Sequence, residues 1–96
     1  MIEGLNKSFE NRLRLGIMGL LMVNDQISFN QLKEELGATD GNLSSHVNAL
    51  EKIHYVLIEK QFVHKKPLTT YRISHKGKLA FEMHIKALEE LIKNTR

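Results

Sequence analysis

Two short amphipathic segments separated by a tight turn are the feature that most constrains how this 96-residue chain can fold. The first segment begins at Ser28, and a glutamine three positions later completes a capping box, a sequence typical of helix starts. It ends at Gly37, because glycine readily supplies the left-handed residue at which helices stop. Two positions later, Thr39 can cap a second helix that runs to about Ile53. The pair predicts a helix-turn-helix unit over about residues 28–53.

The sequence after this unit changes from helical to strand periodicity. Residues 55–63 and 69–73 are rich in β-branched and aromatic side chains, and a polar loop containing Pro67 separates them. They predict a β-hairpin over about residues 55–73. Lys60 interrupts the alternation of apolar and polar residues, so the pattern leaves the pairing register open.

Helical segments lie on both sides of this central part. Apolar residues at helical spacing predict a helix over about residues 8–23 and a longer one over about residues 74–94. A chain of this length leaves no room for a second domain, so we expect one domain over residues 1–96. The predicted fold class is mainly α with a two-stranded β-hairpin wing, a winged helix-turn-helix with a long C-terminal dimerisation helix.

The run TDGNLSSH at residues 39–46 gives this architecture a specific resemblance. Together with the hairpin, it resembles small winged-helix transcriptional regulators related to MarR and ArsR, over most of the chain from Arg12 onward. The resemblance implies a homodimer that binds double-stranded DNA, with the second helix of the unit in the major groove and the wing on the backbone or minor groove. The cysteine-bearing metal motif of ArsR-type sensors is missing, because the chain has no cysteine, so metal sensing is not carried over.

The outer side of the second helix suits a helix that reads DNA bases. Opposite its apolar stripe it carries small and polar residues, and such side chains let a helix enter a major groove about 12 Å wide. Asn42 and Asn48 can each donate and accept hydrogen bonds, so either could read adenine. An ordinary solvated helix face is the alternative interpretation. The predicted DNA contacts on this helix are Thr39, Gly41, Asn42, Ser44, Ser45, Asn48 and Lys52.

Basic residues concentrate in the hairpin and just after it. Residues 60–81 contain six Lys or Arg and no acid, although the whole chain carries a formal charge of only +3. Cationic side chains near phosphates release counterions and give affinity that does not depend on sequence. Arg72 could instead brace the hairpin. The predicted DNA contacts on the wing are Lys60, His64, Lys65, Lys66 and Arg72.

The apolar stripe of the last helix is larger than a small domain would be expected to hide by itself. With disulfides excluded, dimerisation is the remaining inexpensive way to stabilise so short a chain. The alternative is that the helix folds back over its own core. The predicted dimer interface, which also includes one side of the first helix, consists of Leu15, Met18, Met22, Phe81, Ile85, Leu88 and Ile92.

Other classes of function find little support in the sequence. It contains no phosphate-binding glycine loop, nucleophile elbow or paired carboxylates, so we expect neither enzyme activity nor a cofactor. None of the five histidines lies three or four positions from another, so no metal site is predicted. The apolar run of residues 15–23 is too short to cross a bilayer, which needs ~20 residues, so we expect no membrane partner and a cytoplasmic location. The sequence leaves a small-molecule effector unknown.

Two hypotheses of function follow. The first is a homodimeric regulator that binds specific double-stranded DNA, acting as a repressor by steric occlusion because no added domain is expected to recruit polymerase. The alternative is a winged-helix module for protein–protein interaction without sequence-specific DNA binding. Such a module should expose aromatic or aliphatic anchors on the second helix, where this chain has Asn and Ser.

Overall fold

A computed structural model describes residues 3–94 of the chain. A short 3-10 turn at Lys7–Phe9 comes first, and the three strands form one antiparallel sheet in the order β1-β3-β2. This order of elements confirms the predicted winged helix-turn-helix class. The helices and strands are α1 (Arg12–Val23), β1 (Ile27–Ser28), α2 (Phe29–Leu36), α3 (Asp40–Lys52), β2 (Val56–Val63), β3 (Lys66–Ile73) and α4 (His75–Asn94).

The helix-turn-helix unit begins and ends where its sequence indicates. Ser28 Oγ accepts a hydrogen bond from the backbone N–H of Gln31, and the Gln31 side chain accepts one from the Ser28 N–H, which completes the capping box. Gly37 adopts the left-handed conformation, with φ of 59°. Thr39 caps α3 by accepting from the backbone N–H of Asn42. These local bonds set where α2 begins and ends and where α3 begins.

The predicted first helix is wrong at its beginning. It does not start near residue 8, because the 3-10 turn ends at Phe9 and α1 begins only at Arg12. The side chain of Asn11 accepts from the backbone N–H groups of Leu13 and Arg14, so Asn11 is the N-cap. Helical spacing of apolar residues continues across this break, which is why periodicity alone did not reveal it.

The sheet contains one strand more than the predicted hairpin. Ile27 and Ser28 form β1, which pairs with Tyr71 and Thr70 of β3. A strand of two residues is too short to display an alternating pattern, so periodicity does not predict it. The strand ties the start of the helix-turn-helix unit to the base of the wing.

The core lies where the first three helices meet the base of the wing. A Cβ on Gly16 would lie 2.6 Å from a Leu36 methyl carbon, so glycine allows α1 and α2 to pack closely. The side of α3 opposite the core is open to solvent. The fully buried side chains of the core are Phe9, Ile17, Met18, Leu21, Leu32, Leu43, Val47, Leu50 and Val56.

The N-terminal segment fastens α4 to the rest of the domain. The Phe9 ring is buried against the rings of Tyr55, Phe81 and His84, at centroid distances of 5.3–5.5 Å. The backbone N–H of Asn6 donates to His84 Nδ1 at 3.0 Å, and its side chain donates to the Tyr55 hydroxyl at 3.0 Å. Burial lowers the pKa of His84, against a smaller opposing effect of the Glu10 carboxylate. The first half of α4 is therefore held firmly.

Two of the predicted interface residues belong to the core of the same chain. Met18 is 0% exposed and Phe81 is 6% exposed, because α1 is covered by its neighbouring helices and Phe81 packs on Phe9. Their side chains are therefore not available to a second subunit, and this part of the predicted interface is wrong. Among the other predicted interface residues, Met22 and Leu88 are half-buried, and Leu15, Ile85 and Ile92 are exposed.

Candidate nucleic-acid interface

The outward side of α3 is small and polar. Leu43, Val47 and Leu50 point into the core and are fully buried. Residues on the opposite side of the helix are therefore directed to solvent, since one turn takes 3.6 residues. The exposed residues on this side are Gly41, Ser45, Asn48 and Lys52.

One flank of α3 faces the wing across a groove of about 590 Å³. Ser44 and Asn48 line it from the helix, and Lys60 and Thr69 line it from the two strands. Ser44 is half-buried there, whereas Asn48 and Lys60 are exposed. The structure thus brings together two predicted recognition residues and one predicted wing residue.

The other flank of α3 faces the start of α1 and the turn after α2, across a groove of about 640 Å³. Asn42 and His46 line this groove from α3, and Arg12 lines it from α1. Arg14 Nε donates a hydrogen bond to His46 Nδ1 at 3.0 Å, so the imidazole braces α3 against α1. Asn42 therefore lies apart from the groove that holds Asn48.

The beginning of α3 is occupied by bonds within the domain. Thr39 Oγ1 accepts from the Asn42 backbone N–H at 3.2 Å, which occupies one of its two acceptor positions. Asp40 forms an ion pair with Lys33 of α2 at 2.7 Å. Both side chains of this pair are exposed enough for solvent to screen the attraction, so it adds little stability.

The wing is a regular hairpin with a two-residue turn. Its strands pair from Val56↔Ile73 to Val63↔Lys66, so the predicted polar loop shrinks to His64 and Lys65. Both turn residues have positive φ, 52° and 64°, as the type I′ turns of tight hairpins require. The prediction of a longer loop around Pro67 is wrong, because Pro67 lies within β3 opposite Phe62.

The hairpin separates two of the predicted wing contacts. Lys60 pairs with Thr69 and lines the groove beside α3. Arg72 pairs with Leu57, which is three positions from Lys60 along β2. Because side chains alternate along a strand, Arg72 lies on the opposite face of the hairpin from Lys60. It lines a different groove with Asp25 and Lys78, between the end of α1 and the start of α4. Arg72 therefore lies apart from Lys60; it shares a face with Lys66, but Lys66 is six positions away, next to the turn.

Comparison with known proteins decides the family. A family model described as a winged helix DNA-binding domain matches residues 13–92. The chain belongs to this winged helix DNA-binding domain family. An uncharacterized protein from Methanocaldococcus jannaschii is 36% identical over 88 residues, which cover 92% of this chain and 96% of that protein.

Solved structures of transcriptional regulators share this winged-helix fold. A transcriptional regulator homologue protein from Pyrococcus horikoshii OT3 has a TM-score of 0.86 at 30% identity, over 92% of this chain and 87% of that chain. A transcriptional regulator from Thermotoga maritima has a TM-score of 0.73 at 18% identity, over 88% of this chain and 59% of that chain, and supports the fold alone. The regulator family expected from the sequence is confirmed.

The groove between α3 and the wing also contains an acidic residue, Glu51, that the sequence did not predict there. Glu51 lines the groove between α3 and the wing, one turn beyond Asn48 and near Tyr71. Burial raises the pKa of Tyr71, and the Glu51 carboxylate raises it further. A helical wheel places Glu51 on the flank of α3 rather than on its outer side. Only the position of the wing reveals that Glu51 faces the hairpin.

The described residues were expected to hold neither a metal site nor a membrane span. Within residues 3–94 no group of three or more His, Asp or Glu side chains lies close enough to hold a metal ion. None of the helices in the described part of the chain combines the length and apolar character that crossing a membrane requires.

Proposed function

We propose that this winged-helix protein binds specific double-stranded DNA as a homodimer and regulates transcription as a repressor. The observation that carries the proposal is the exposed, small and polar side of α3 next to a projecting basic hairpin. A helix with that surface fits a major groove about 12 Å wide without bulky side chains that would hold it off the bases.

Base reading falls to α3 in this proposal. Asn48 lies exposed in the middle of the outward side and can pair with adenine through two hydrogen bonds. Gly41 and Ser45 allow the helix to approach closely, and Lys52 adds charge at its far end. Ser44, Asn42 and Thr39 lie at the flanks and the start of the helix, where phosphate and sugar contacts that fix orientation are expected.

Phosphate binding falls chiefly to the wing. Lys65 is in the turn, Lys66 follows it, and Lys60 faces α3 across the groove. Together with His64 they place positive charge beside the DNA backbone, which gives affinity that falls with salt. Arg72 has no part in this contact, because it lies at the base of the hairpin, away from the turn, in the groove with Asp25 and Lys78.

The homodimer is proposed from the second half of α4. The Cα radius of gyration is 14.5 Å, whereas a compact chain of this length would have about 12–13 Å, so the chain is more extended than a compact domain. Ile85 and Leu91 are exposed there, and Leu88 is only half-buried. Pairing of this helix around a two-fold axis would bury these residues and present two copies of α3 ~34 Å apart, one turn of DNA.

A repressor role follows from the geometry of such a dimer. Two recognition helices and two wings would cover about two turns of duplex, which excludes polymerase from the same DNA. The proposal also places the protein in the compartment that holds the DNA, the cytoplasm. The alternative is a winged-helix module that binds another protein. It is less well supported, because the outward side of α3 lacks the large apolar side chains on which protein interfaces depend.

The proposal is tested by selecting binding sites from a random duplex library. Footprinting then maps the bases that the protein protects on the most enriched sequence. We expect a pseudo-palindrome with half-sites about one helical turn apart and protection in two adjacent major grooves. Asn48→Ala should reduce the preference for the selected site over random DNA by roughly tenfold. Absence of any enriched sequence would contradict specific binding and favour the protein-interaction module.

A further inference from the structure

We propose that Phe62 is an apolar DNA contact that the wing inserts into the minor groove next to the major groove occupied by α3. This inference rests on the proposed DNA-binding function and assigns to the wing a residue that charge alone would not select. It states that the wing binds through an apolar contact as well as through its lysines.

The exposure of Phe62 is the first observation. Its side chain is 78% exposed near the tip of the hairpin, where it faces Pro67 across the strands. A ring left in water at a regular, fully paired strand position contributes little to the stability of the hairpin. The ring is therefore free to offer a large, rigid apolar contact area to a partner.

The face on which Phe62 lies is the second observation. Side chains alternate along a strand, so Phe62 shares a face with Ile58 and Lys60. Ile58 and Lys60 line the groove opposite Ser44 and Asn48 of α3. The ring therefore continues the same surface as the recognition helix, rather than the opposite face that carries Arg72.

The surrounding charge selects the partner. Residues 60–68 contain Lys60, Lys65, Lys66 and His64 and no acid, so the outer part of the hairpin is positively charged, and Lys60 lies on the same face as Phe62. A partner that takes an apolar ring within such a field must be polyanionic and must offer a nonpolar slot. The minor groove meets both demands, because its walls are sugar carbons between two rows of phosphates.

The length of the hairpin brings the ring to that groove. Phe62 is four residues beyond Ile58, a distance of about 13 Å along a strand. The centres of adjacent major and minor grooves are separated by roughly half a helical turn, ~17 Å. With α3 in the major groove, the strand spans most of that separation, and the inference places the ring in the neighbouring minor groove, which is about 6 Å wide.

Loss of an apolar contact and loss of a lysine should change the salt dependence of DNA binding in different ways. Burial of the ring adds affinity without releasing counterions, so the loss of Phe62 should weaken binding at every salt concentration to the same extent. Loss of Lys65 or Lys66 should instead make the dependence on salt shallower. An apolar wedge also favours steps that deform easily, such as TA or CA.

The experiment measures binding of a mixed-sequence duplex by fluorescence anisotropy for the full chain and three variants, at four salt concentrations. Phe62→Ala removes the ring, and Phe62→Leu keeps an apolar side chain. Val23→Ala is the matched control, because Val23 is also 78% exposed but lies at the end of α1. Thermal unfolding of each variant confirms that it is folded.

We expect Phe62→Ala to bind roughly tenfold more weakly with an unchanged salt slope, and Phe62→Leu to recover most of the loss. Val23→Ala should bind like the unmodified protein. Netropsin, which occupies the minor groove, should compete with the unmodified protein more strongly than with Phe62→Ala.

Equal affinity of Phe62→Ala and the unmodified protein would overturn the inference while leaving DNA binding intact. A shallower salt slope in Phe62→Ala would also overturn it, since the residue would then act by placing the lysines. Failure of the unmodified protein to bind at low salt would contradict the proposed function itself.

Discussion

Arg14 Nε donates a hydrogen bond to His46 Nδ1 at 3.0 Å, and this bond joins α1 to the recognition helix. A ring nitrogen that accepts must be unprotonated, so the proton of the neutral imidazole resides on Nε2. Both side chains are half-buried, where a hydrogen bond from a charged donor contributes more than one at the surface. The orientation of α3 therefore depends in part on this pair.

A double-mutant cycle with Arg14→Gln and His46→Ala tests the pair. We expect the free energies of unfolding, measured in urea, to show a coupling of about 0.5–1.5 kcal/mol. Additive effects of the two changes would mean that the bond does not stabilise the packing of α3 on α1.

If α4 forms the dimer interface, substitutions on its two sides should affect dimerisation differently. Ile85 lies on the side that continues the core-facing stripe and is 36% exposed, whereas Met83 is 64% exposed on the other side. We expect Ile85→Glu to shift the protein toward monomer and Met83→Glu to leave the dimer intact, as measured by sedimentation equilibrium. A monomeric unmodified protein, or equal effects of the two changes, would contradict the proposed interface.

Two glycines in helices should respond to alanine in opposite ways. A Cβ on Gly77 would collide with the backbone carbonyl oxygen of Tyr55, which cannot move aside as a flexible side chain would. Gly77→Ala should therefore lower the free energy of unfolding by about 1–3 kcal/mol. Gly19 has open space around that position, so Gly19→Ala should raise it by up to about 1 kcal/mol. Urea denaturation measures both, and a stabilised Gly77→Ala would contradict the close contact.

Acid should destabilise the domain through His84. Its pKa is lowered by burial in the folded state, so below the ordinary value of 6.5 the unfolded chain binds more protons than the folded chain. The stability is complete above about pH 6.5 and is lost as the pH falls toward the lowered pKa. We expect the thermal midpoint to drop as the pH falls from about 6.5 to 5.5, and less so in His84→Phe. His64→Gln, which changes an exposed wing residue, is the control and should retain the full drop.

Removal of the carboxylate beside the wing should strengthen DNA binding. Glu51 lies in the groove between α3 and Lys60, where its charge repels an approaching phosphate. We expect Glu51→Gln to bind a mixed-sequence duplex several-fold more tightly at low salt, with the gain reduced at high salt. It should also bring the pKa of Tyr71 closer to its ordinary value, which ultraviolet titration of the phenol measures. Weaker binding would indicate that the carboxylate reads a base instead.

The parts of the fold that depend on neighbouring residues could be predicted from the sequence. Ser28, Gly37 and Thr39 act on backbone groups within a few positions, so their capping roles follow from residue type and spacing. The turn at His64 and Lys65 was missed, because residues other than glycine rarely take positive φ and give no signal when they do.

The parts of the site that depend on register or on distant contacts could not be predicted. Whether Lys60 and Arg72 share a face follows from the strand pairing, which the interrupted alternation left undetermined. Met18 and Phe81 looked like surplus apolar surface, since a helical wheel does not reveal that the N-terminal segment and neighbouring helices cover them. The burial of His84 depends on the same N-terminal segment.

The central claim is tested most directly by the salt dependence of DNA binding. Fluorescence anisotropy with a mixed-sequence duplex gives the affinity of the full chain at several salt concentrations. We expect log affinity to fall linearly with log salt, and the Lys65→Ala/Lys66→Ala variant to bind more weakly with a slope shallower by about 2, close to one per lysine. No binding at low salt, or an unchanged slope in this variant, would contradict a DNA interface formed by α3 and the wing.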